Sequence, residues 1–355
     1  MIDARDDRNI LKLRGQIPLS LNNHAQTADS SLDITDIVSI KALSRARQKF
    51  SRGKKSRKDV ADYQKNLRAN LAKLHRSLVT GDYTHHAYER FTIHDPKQRQ
   101  IHKATVADRI VHQAVVSAIE PIFEPRFIYD SYSCRIGKGT HRGVKRLKTF
   151  LLQAGRNNTK KVYALKCDIR KYFASIDHEI LLRLIAARIE DEAILELIRS
   201  IILSHGAEVG KGIPLGNVTS QLFANIYLHE LDWFLKQTVG VRHYIRYCDD
   251  FAVVSSDKEY LQDLIEPIRQ FLAETLSIHL HPNKVTIRSW DQGIDFLGYV
   301  QRPHVTTIRT KTKRRMLAKV AEHNLSSYHG ICSHADEYRL GQLLYVVAWK
   351  KSVSN

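Results

Sequence analysis

Cysteine is scarce. Cys134, Cys167, Cys248 and Cys332 are scattered and never form Cys-x-x-Cys, which argues against a disulfide framework or a zinc knuckle. No apolar run approaches the roughly eighteen residues that a membrane span needs. The opening Met1 to Arg8 is charged, with no apolar stretch behind it, so it does not read as a secretory signal, and a cytoplasmic setting without membrane contact is the expectation. The histidines, among them His85-His86 and His279-x-His281, never adopt a spacing such as His-Glu-x-x-His; most are expected to be incidental surface or phosphate-facing side chains. Acidic residues are also in short supply, with 37 Asp and Glu against 56 Lys and Arg and a formal net charge of +19. That surplus points to a polyanionic partner, nucleic acid first, because each Lys or Arg that meets a phosphate releases condensed counterions. A merely solvated basic surface is the competing reading. What remains is a chain of 355 residues, 43% hydrophobic and 26% charged, too apolar for disorder and long enough for two or three structural units.

No internal repeat is evident along the chain. Residues 1 to 40 carry a slight acidic excess and read as an appendage, partly disordered. From Lys41 to Lys58 nine basic residues occur without one acidic residue; this run reads as an arm, either solvated or bound to a nucleic-acid backbone. Tyr63 to Leu78 has the spacing of an amphipathic helix, and Tyr88 to Ile93 alternates as a strand ahead of the turn Asp95-Pro96. Ile110, Val111, Ala114, Val115, Ala118, Ile119 and Ile122 recur at three and four, the pattern of a helix packed on one face. Further helices are expected over Glu179–Arg188, over Ala193–Leu203 and from Thr219 onward. The body is mixed α and β.

Chemistry is carried by carboxylates. The strand-like Lys161 to Cys167 ends at Asp168, and Tyr172 and Phe173 follow. Some eighty residues on, His243 to Tyr247 leads into Cys248-Asp249-Asp250 and then Phe251 to Val254, which reads as a hairpin with acidic groups at its tip. Asp-Asp in a turn is common and means little alone. If the strand ending at Asp168 lies beside that hairpin, three carboxylates converge and repel one another unless a cation intervenes. Hard oxygen ligands select Mg²⁺, with Mn²⁺ as a substitute. Two such ions about 3.5–4 Å apart can clamp the attacking and leaving oxygens of a phosphoryl transfer.

The ordered set of boxes resembles the reverse transcriptases. Tyr247-Cys248-Asp249-Asp250 is similar to their Tyr-x-Asp-Asp box, Asp168 with Phe173 resembles their first catalytic motif, and Gly212 to Gln221 sits where that family places its nucleotide- and template-contacting loop and helix. Pro96-Lys97-Gln98-Arg99, Asp108 to Gln113, Ser131 to Arg135, Gly137 to His141, His281-Pro282-Asn283-Lys284 and Phe296-Leu297-Gly298-Tyr299 resemble further blocks of the bacterial, group II intron-like members. The resemblance implies an α+β right-hand polymerase. Its expected parts are an N-terminal appendage and basic arm (1–58), fingers (59–160), a palm of antiparallel sheet plus helices (161–300) and a short basic helical thumb (301–355). The palm would hold the boxes at 168–173, 212–221, 247–250, 281–284 and 296–299.

Carried over position by position, the resemblance makes Asp168, Asp249 and Asp250 the catalytic carboxylates, with the Ile169 carbonyl as a further metal ligand. Lys97, Arg99 and Arg135 would offset triphosphate charge, although each alone is an ordinary surface cation. Phe173 would be the steric gate that excludes a 2′-hydroxyl, or else a core aromatic. Lys284 would protonate or steady the leaving pyrophosphate, or else be a solvated lysine. Gly216, Ser220 and Tyr247 would contact template and primer. Arg309, Lys311, Lys313, Arg314 and Arg315 would track an RNA–DNA hybrid by its backbone. The apolar stripes at Met316, Leu317 and Val320 and at Leu340, Leu343, Leu344, Val347 and Trp349 would be core.

Leu215-Gly216-Asn217-Val218-Thr219-Ser220-Gln221 narrows the resemblance. Leu replaces the usual Gln before the glycine, and Gln221 replaces the usual Pro, as in reverse transcriptases of diversity-generating retroelements. Glutamine can donate and accept hydrogen bonds beside the template base and so bias base selection. The resemblance implies error-prone copying of a template RNA, with errors at adenines, for mutagenic diversification of a target gene. It further implies deoxynucleoside triphosphates as substrates and a small basic helical accessory protein oligomer as partner. With only about fifty-five residues after Tyr299, no RNase H, maturase or endonuclease part is expected. The alternatives are an anti-phage defence or abortive-infection reverse transcriptase and, in another class, a catalytically inert nucleic-acid-binding scaffold.

Overall fold

The computed structural model describes residues 32–95, 98–205 and 209–353. Four helices come first: α1 (Thr35–Val38), α2 (Ile40–Ser51), α3 (Lys58–Lys65) and α4 (Leu67–Val79). The start of the basic run is therefore not an arm. Ser39 caps α2 by accepting from the Ala42 amide, and Leu43, Ala46 and Phe50, spaced at three and four, are buried. The cations Lys41, Arg45 and Lys49 occupy the outward face, so charge density disguised an amphipathic helix. The helix expected over Tyr63–Leu78 is split at Asn66, whose φ of −117° and ψ of 38° leave the helical region. Asn70 Nδ2 donates to the Tyr63 carbonyl at 2.9 Å, giving a partner to a group freed by the break.

A hairpin of β1 (Glu89–Ile93) and β2 (Arg99–Lys103) leads to α5 (Val106–Phe123), capped by Thr105, and to α6 (Thr140–Ala154). The α2 helix packs along α5. The central sheet has four antiparallel strands in the order β4-β5-β3-β6: β3 (Tyr163–Asp168), β4 (Tyr244–Tyr247), β5 (Asp250–Ser255) and β6 (Thr286–Ser289). Between β3 and β4 run α7 (Tyr172–Ser175), α8 (His178–Ala186), α9 (Glu192–Leu203) and α10 (Val218–Trp233); between β5 and β6 run α11 (Lys258–Asp263) and α12 (Ile265–Leu276). A three-stranded sheet of β7 (Ile294–Phe296), β8 (Tyr299–Gln301) and β9 (Thr306–Ile308) introduces α13 (Thr310–Lys319), α14 (Glu322–Cys332) and α15 (Tyr338–Val353).

Strand alternation divides the central sheet between two cores. Leu165, Cys167, Phe251 and Val253 join the large core built on α5, α8, α10 and α12. Ala164, Ile245, Ala252 and Val254 face Leu147, Phe150 and Leu151 of α6. A third core gathers Met316, Val320, Leu340, Leu344 and Ala348 with Val144, Tyr299 and Ile308. Not all of the C-terminal stripe is core: Leu343 and Trp349 are 45% and 65% exposed, because the i, i+4 row Leu340, Leu344 and Ala348 takes the inward face of α15. No helix among the described residues is long and apolar enough to cross a membrane.

Candidate active site

The carboxylates meet because of register. Asp168, the last residue of β3, is paired directly with Asp250, the first residue of β5. Tyr247 pairs with Asp250 across the β4–β5 hairpin, so the two-residue tip is Cys248-Asp249 and not the Asp-Asp pair. Cys248 sits in the left-handed region at φ 56°, a conformation that costs a non-glycine residue on the order of 1–2 kcal/mol. Beyond β3 the chain bridges Ile169 to Leu280, and the His281 amide donates to the Asp168 carbonyl at 2.7 Å. That pairing delivers Lys284, whose Nζ donates to Asp168 Oδ1 at 2.8 Å. Lys166, two residues before Asp168, lies 3.4 Å from Asp250 Oδ2.

Burial raises the Asp249 carboxyl above its ordinary value, and the charge of Asp168 adds to the effect. Asp250 is pushed up to about 6, chiefly by burial, with Lys166 opposing and Asp168 and Asp249 reinforcing. Asp250 Oδ1 is buried and has no hydrogen-bond partner. Even with two lysines present, the cluster is short of positive charge. The three carboxylates expected to share two ions are nevertheless not gathered into a metal-holding group by the side chains as they stand. Asp168 turns to Lys284 and Asp250 to Lys166, and no group of three His, Cys, Asp or Glu side chains among the described residues has the arrangement to hold a metal ion. The donor chemistry still suits a hard divalent cation: carboxylate oxygens, one of them without a partner. A cavity of about 230 Å³ opens beside Asp168, lined also by Lys166, Lys284 and Arg288.

The boxes at 168–173 and 212–221 are tied together. The Ile213 amide donates to the Phe173 carbonyl and the Gly212 amide to the Ile176 carbonyl, each at 2.8 Å. Phe173 itself is half-buried, its ring 5.6 Å from that of Tyr172. The 212–217 loop is also pinned to β2, since the His102 amide donates to the Leu215 carbonyl at 3.0 Å. Gly216 is exposed at φ 111°, where a side chain is strained, and a Cβ there would stand 2.9 Å from Ile101 Cγ2, which would have to shift. Gln221 is exposed on α10, whereas Ser220, expected to touch template, is 1% exposed and faces the core. Tyr247 is half-buried, and its hydroxyl accepts from Thr140 Oγ1 at 3.3 Å.

The expected triphosphate cations fare differently. Lys97 lies outside the described residues, and Arg99 is exposed at the start of β2. Arg135 is not available. Its guanidinium pairs with Glu124 at 2.9 Å and donates to the Ile128 and Ser131 carbonyls at 2.7 and 3.0 Å, leaving the side chain 6% exposed. Arg135→Ala should therefore cost about 1.5–3 kcal/mol of stability in denaturant titration, with the KM for deoxynucleotides within about twofold of wild type. A large rise in KM without loss of stability would contradict this placement.

Among the C-terminal cations, Lys311 and Arg314 are exposed. Lys313 is paired with Glu337, Arg309 with Asp295, and Arg315 lies 3.6 Å from Asp95. A basic cavity of about 710 Å³ separates α6 from this region, lined by Lys138, His141, Arg142, Lys145, Arg315 and His334 among others. Sequence reasoning missed Lys166, which period-2 alternation from Asp168 would have placed on the same face. It also missed Arg246 and Asp232, two charges interrupting apolar runs, which pair with each other at 2.6 Å at full burial.

An antiparallel sheet with carboxylates at a strand end and hairpin turn, flanked by helices and followed by a helical bundle, is the fold of a right-hand nucleic-acid polymerase. The family model described as reverse transcriptase (RNA-dependent DNA polymerase) matches residues 93–301, over half of the chain, and the chain belongs to that family of RNA-directed DNA polymerases. It is 27% identical over 276 residues to Protein YkfC of Escherichia coli (strain K12), covering 66% of this chain and 72% of that one. It is 26% identical over 321 residues to the Group II intron-encoded protein LtrA of Lactococcus lactis subsp. cremoris, covering 70% of this chain but only 52% of the relative. Among solved structures, telomerase from Candida albicans in complex with a fragment of telomeric RNA aligns over 81% of this chain and 58% of that one. Its TM-score is 0.49 at 13% identity, a likeness too distant to bear on function.

Proposed function

We propose that the chain copies a template RNA into cDNA, adding deoxynucleotides at a site made by Asp168, Asp249 and Asp250. The observation that carries this reading is the in-register pairing of Asp168 with Asp250, with Asp249 adjacent at the hairpin tip. Asp168, Asp249 and the Ile169 carbonyl would hold Mg²⁺, or Mn²⁺ in its place, and Asp250 would complete the negative field. The bound cation supplies charge neutralisation at the triphosphate and a lowered pKa at the primer 3′-hydroxyl. The chain's own groups do the rest. Lys284 moves from Asp168 toward the departing pyrophosphate, Lys166 holds Asp250 in place, and Lys97 and Arg99 meet the triphosphate. Residues 59–160 serve as fingers, 161–300 as palm and 301–355 as thumb. The cations lining the α6 cavity, with Lys311 and Arg314, meet the phosphates of the RNA–DNA hybrid.

The finer reading is adenine-biased, error-prone synthesis for diversification of a target gene. It is supported by Leu215 and Gln221 in the 215–221 box and by the exposure of the Gln221 side chain. A small basic helical accessory oligomer is the partner this reading brings with it. The test is primer extension on an RNA template with Mg²⁺, followed by sequencing of the cDNA. Substitutions should cluster at template adenines, and a flat spectrum would favour the defence role instead. The gate is tested separately: Phe173→Ala should raise ribonucleotide incorporation by about tenfold or more, the discrimination that about 1.4 kcal/mol of lost steric exclusion would remove. Unchanged selectivity would reassign the ring to the core.

A further inference from the structure

Beneath the hairpin tip lies a charge that the chemistry above does not use. Arg246 is the largest fully buried side chain of the described residues. Its Nε and one terminal nitrogen donate to the two carboxylate oxygens of Asp232 at 2.7 and 2.6 Å. Tyr244 Oη donates to the same carboxylate at 2.7 Å. The remaining terminal nitrogen donates to Asn225 Oδ1 and to the Cys248 carbonyl, each at 3.2 Å. Asn225 is itself fixed, donating to the Ser133 carbonyl at 2.9 Å. The arginine backbone is held as well: its amide donates to the Asp130 carbonyl at 3.0 Å, and its carbonyl accepts from the Tyr132 amide at 2.9 Å.

An ion pair this deep is a poor choice for stability alone. Desolvation costs several kcal/mol per ion, and well-packed apolar residues would serve as well. What apolar residues cannot do is hold a carbonyl. The Cys248 carbonyl belongs to the peptide plane that joins Cys248 to Asp249, and Cys248 is in the strained left-handed region. Fixing that plane fixes the N–Cα bond of Asp249 and, with Asp250 held in register opposite Tyr247, narrows the directions in which its Cα–Cβ bond can leave the turn.

We propose that Arg246 is a positioning residue, locked by Asp232 and Asn225, that aims the Asp249 carboxylate by gripping the Cys248 carbonyl. This rests on the reading of Asp249 as a catalytic carboxylate. Lysine keeps the charge and can pair with Asp232, but its single ammonium cannot reproduce the fork that reaches Asp232 and Cys248 together.

The experiment compares wild type with Arg246→Lys and with the paired variant Arg246→Met/Asp232→Leu, which removes both charges should the lysine variant not fold. Leu43→Ala, a cavity in the distant α2 contact, serves as the control for general loss of stability. In whichever positioning variant folds, kcat for primer extension should fall about 10²-fold, as expected for a reacting group displaced by about 1 Å. The KM for deoxynucleotides should stay within twofold, and amide exchange over 247–250 should quicken. Leu43→Ala should lower the melting temperature without quickening exchange at the turn. Wild-type exchange at 247–250, or faster exchange with wild-type kcat, overturns the proposal. If wild type itself extends no primer, the polymerase reading of the site fails, and exchange at the turn alone decides whether Arg246 holds it.

Discussion

Asp249→Ala should reduce primer extension by about 10³-fold while leaving the melting temperature near that of wild type. The loss follows from what the residue is: a carboxylate at a two-residue turn, beside a second one that ends the neighbouring strand, in a site that already lacks positive charge. Removing one charged group aimed at a developing charge costs on the order of 10²–10³-fold, and on the proposal that Asp249 holds the metal ion its loss belongs at the upper end of that range. Stability should not fall, because burial and Asp168 both disfavour the ionised form of Asp249, so alanine relieves repulsion. Primer extension and a thermal melt in parallel check both halves. Wild-type activity in the variant would remove Asp249 from the chemistry.

The same electrostatics sets a pH dependence. A carboxyl raised in the folded chain contributes stability that is fully present below its ordinary value and is lost as pH rises through the folded value. For Asp250 that window runs from 3.8 to about 6. Mg²⁺ should accordingly raise the melting temperature more at pH 7.5 than at pH 5. An equal metal effect at the two pH values would contradict the raised carboxyls.

Asp232→Ala should be the most destabilising single change of an acidic residue, by about 3–5 kcal/mol, because it leaves the Arg246 guanidinium fully buried with no counter-charge. Tyr244 would lose its acceptor at the same time. The contrast is Glu196→Ala, whose partner Arg199 is 3.3 Å away on an exposed helix face and whose loss should cost less than about 1 kcal/mol. Denaturant unfolding of the two variants checks the difference, and comparable losses would mean that the buried pair is relaxed by water.

Where periodicity was strong, the sequence was informative. The three-and-four spacing from Ile110 to Ile122 lies within α5, and the alternation on either side of Cys248 is the β4–β5 hairpin. The hairpin tip was misjudged by one residue because pairing register, which makes Asp250 a strand residue, is a property of two segments and not of one. Arg135 was legible as a cation but not as a tie, since its partner Glu124 lies in a separate element and the carbonyls it bonds come from a loop. The α2 helix was hidden because nine like charges over Lys41–Lys58 outweighed the three apolar residues that bury it. The Arg246–Asp232 pair joins a strand to a helix, and no local pattern announces such a contact.

One helix belongs to two cores at once. Leu147, Phe150 and Leu151 of α6 are clamped against Ala252 and Val254, while Val144, one turn earlier, sits with Tyr299, Ile308 and Met316. Gln301 Nε2 rivets the Val144 carbonyl at 2.6 Å. A single helix thus links the C-terminal bundle, held at Val144, to the central sheet, held from Leu147 onward. Were the bundle displaced, α6 is the element through which the strand that starts at Asp250 would register it.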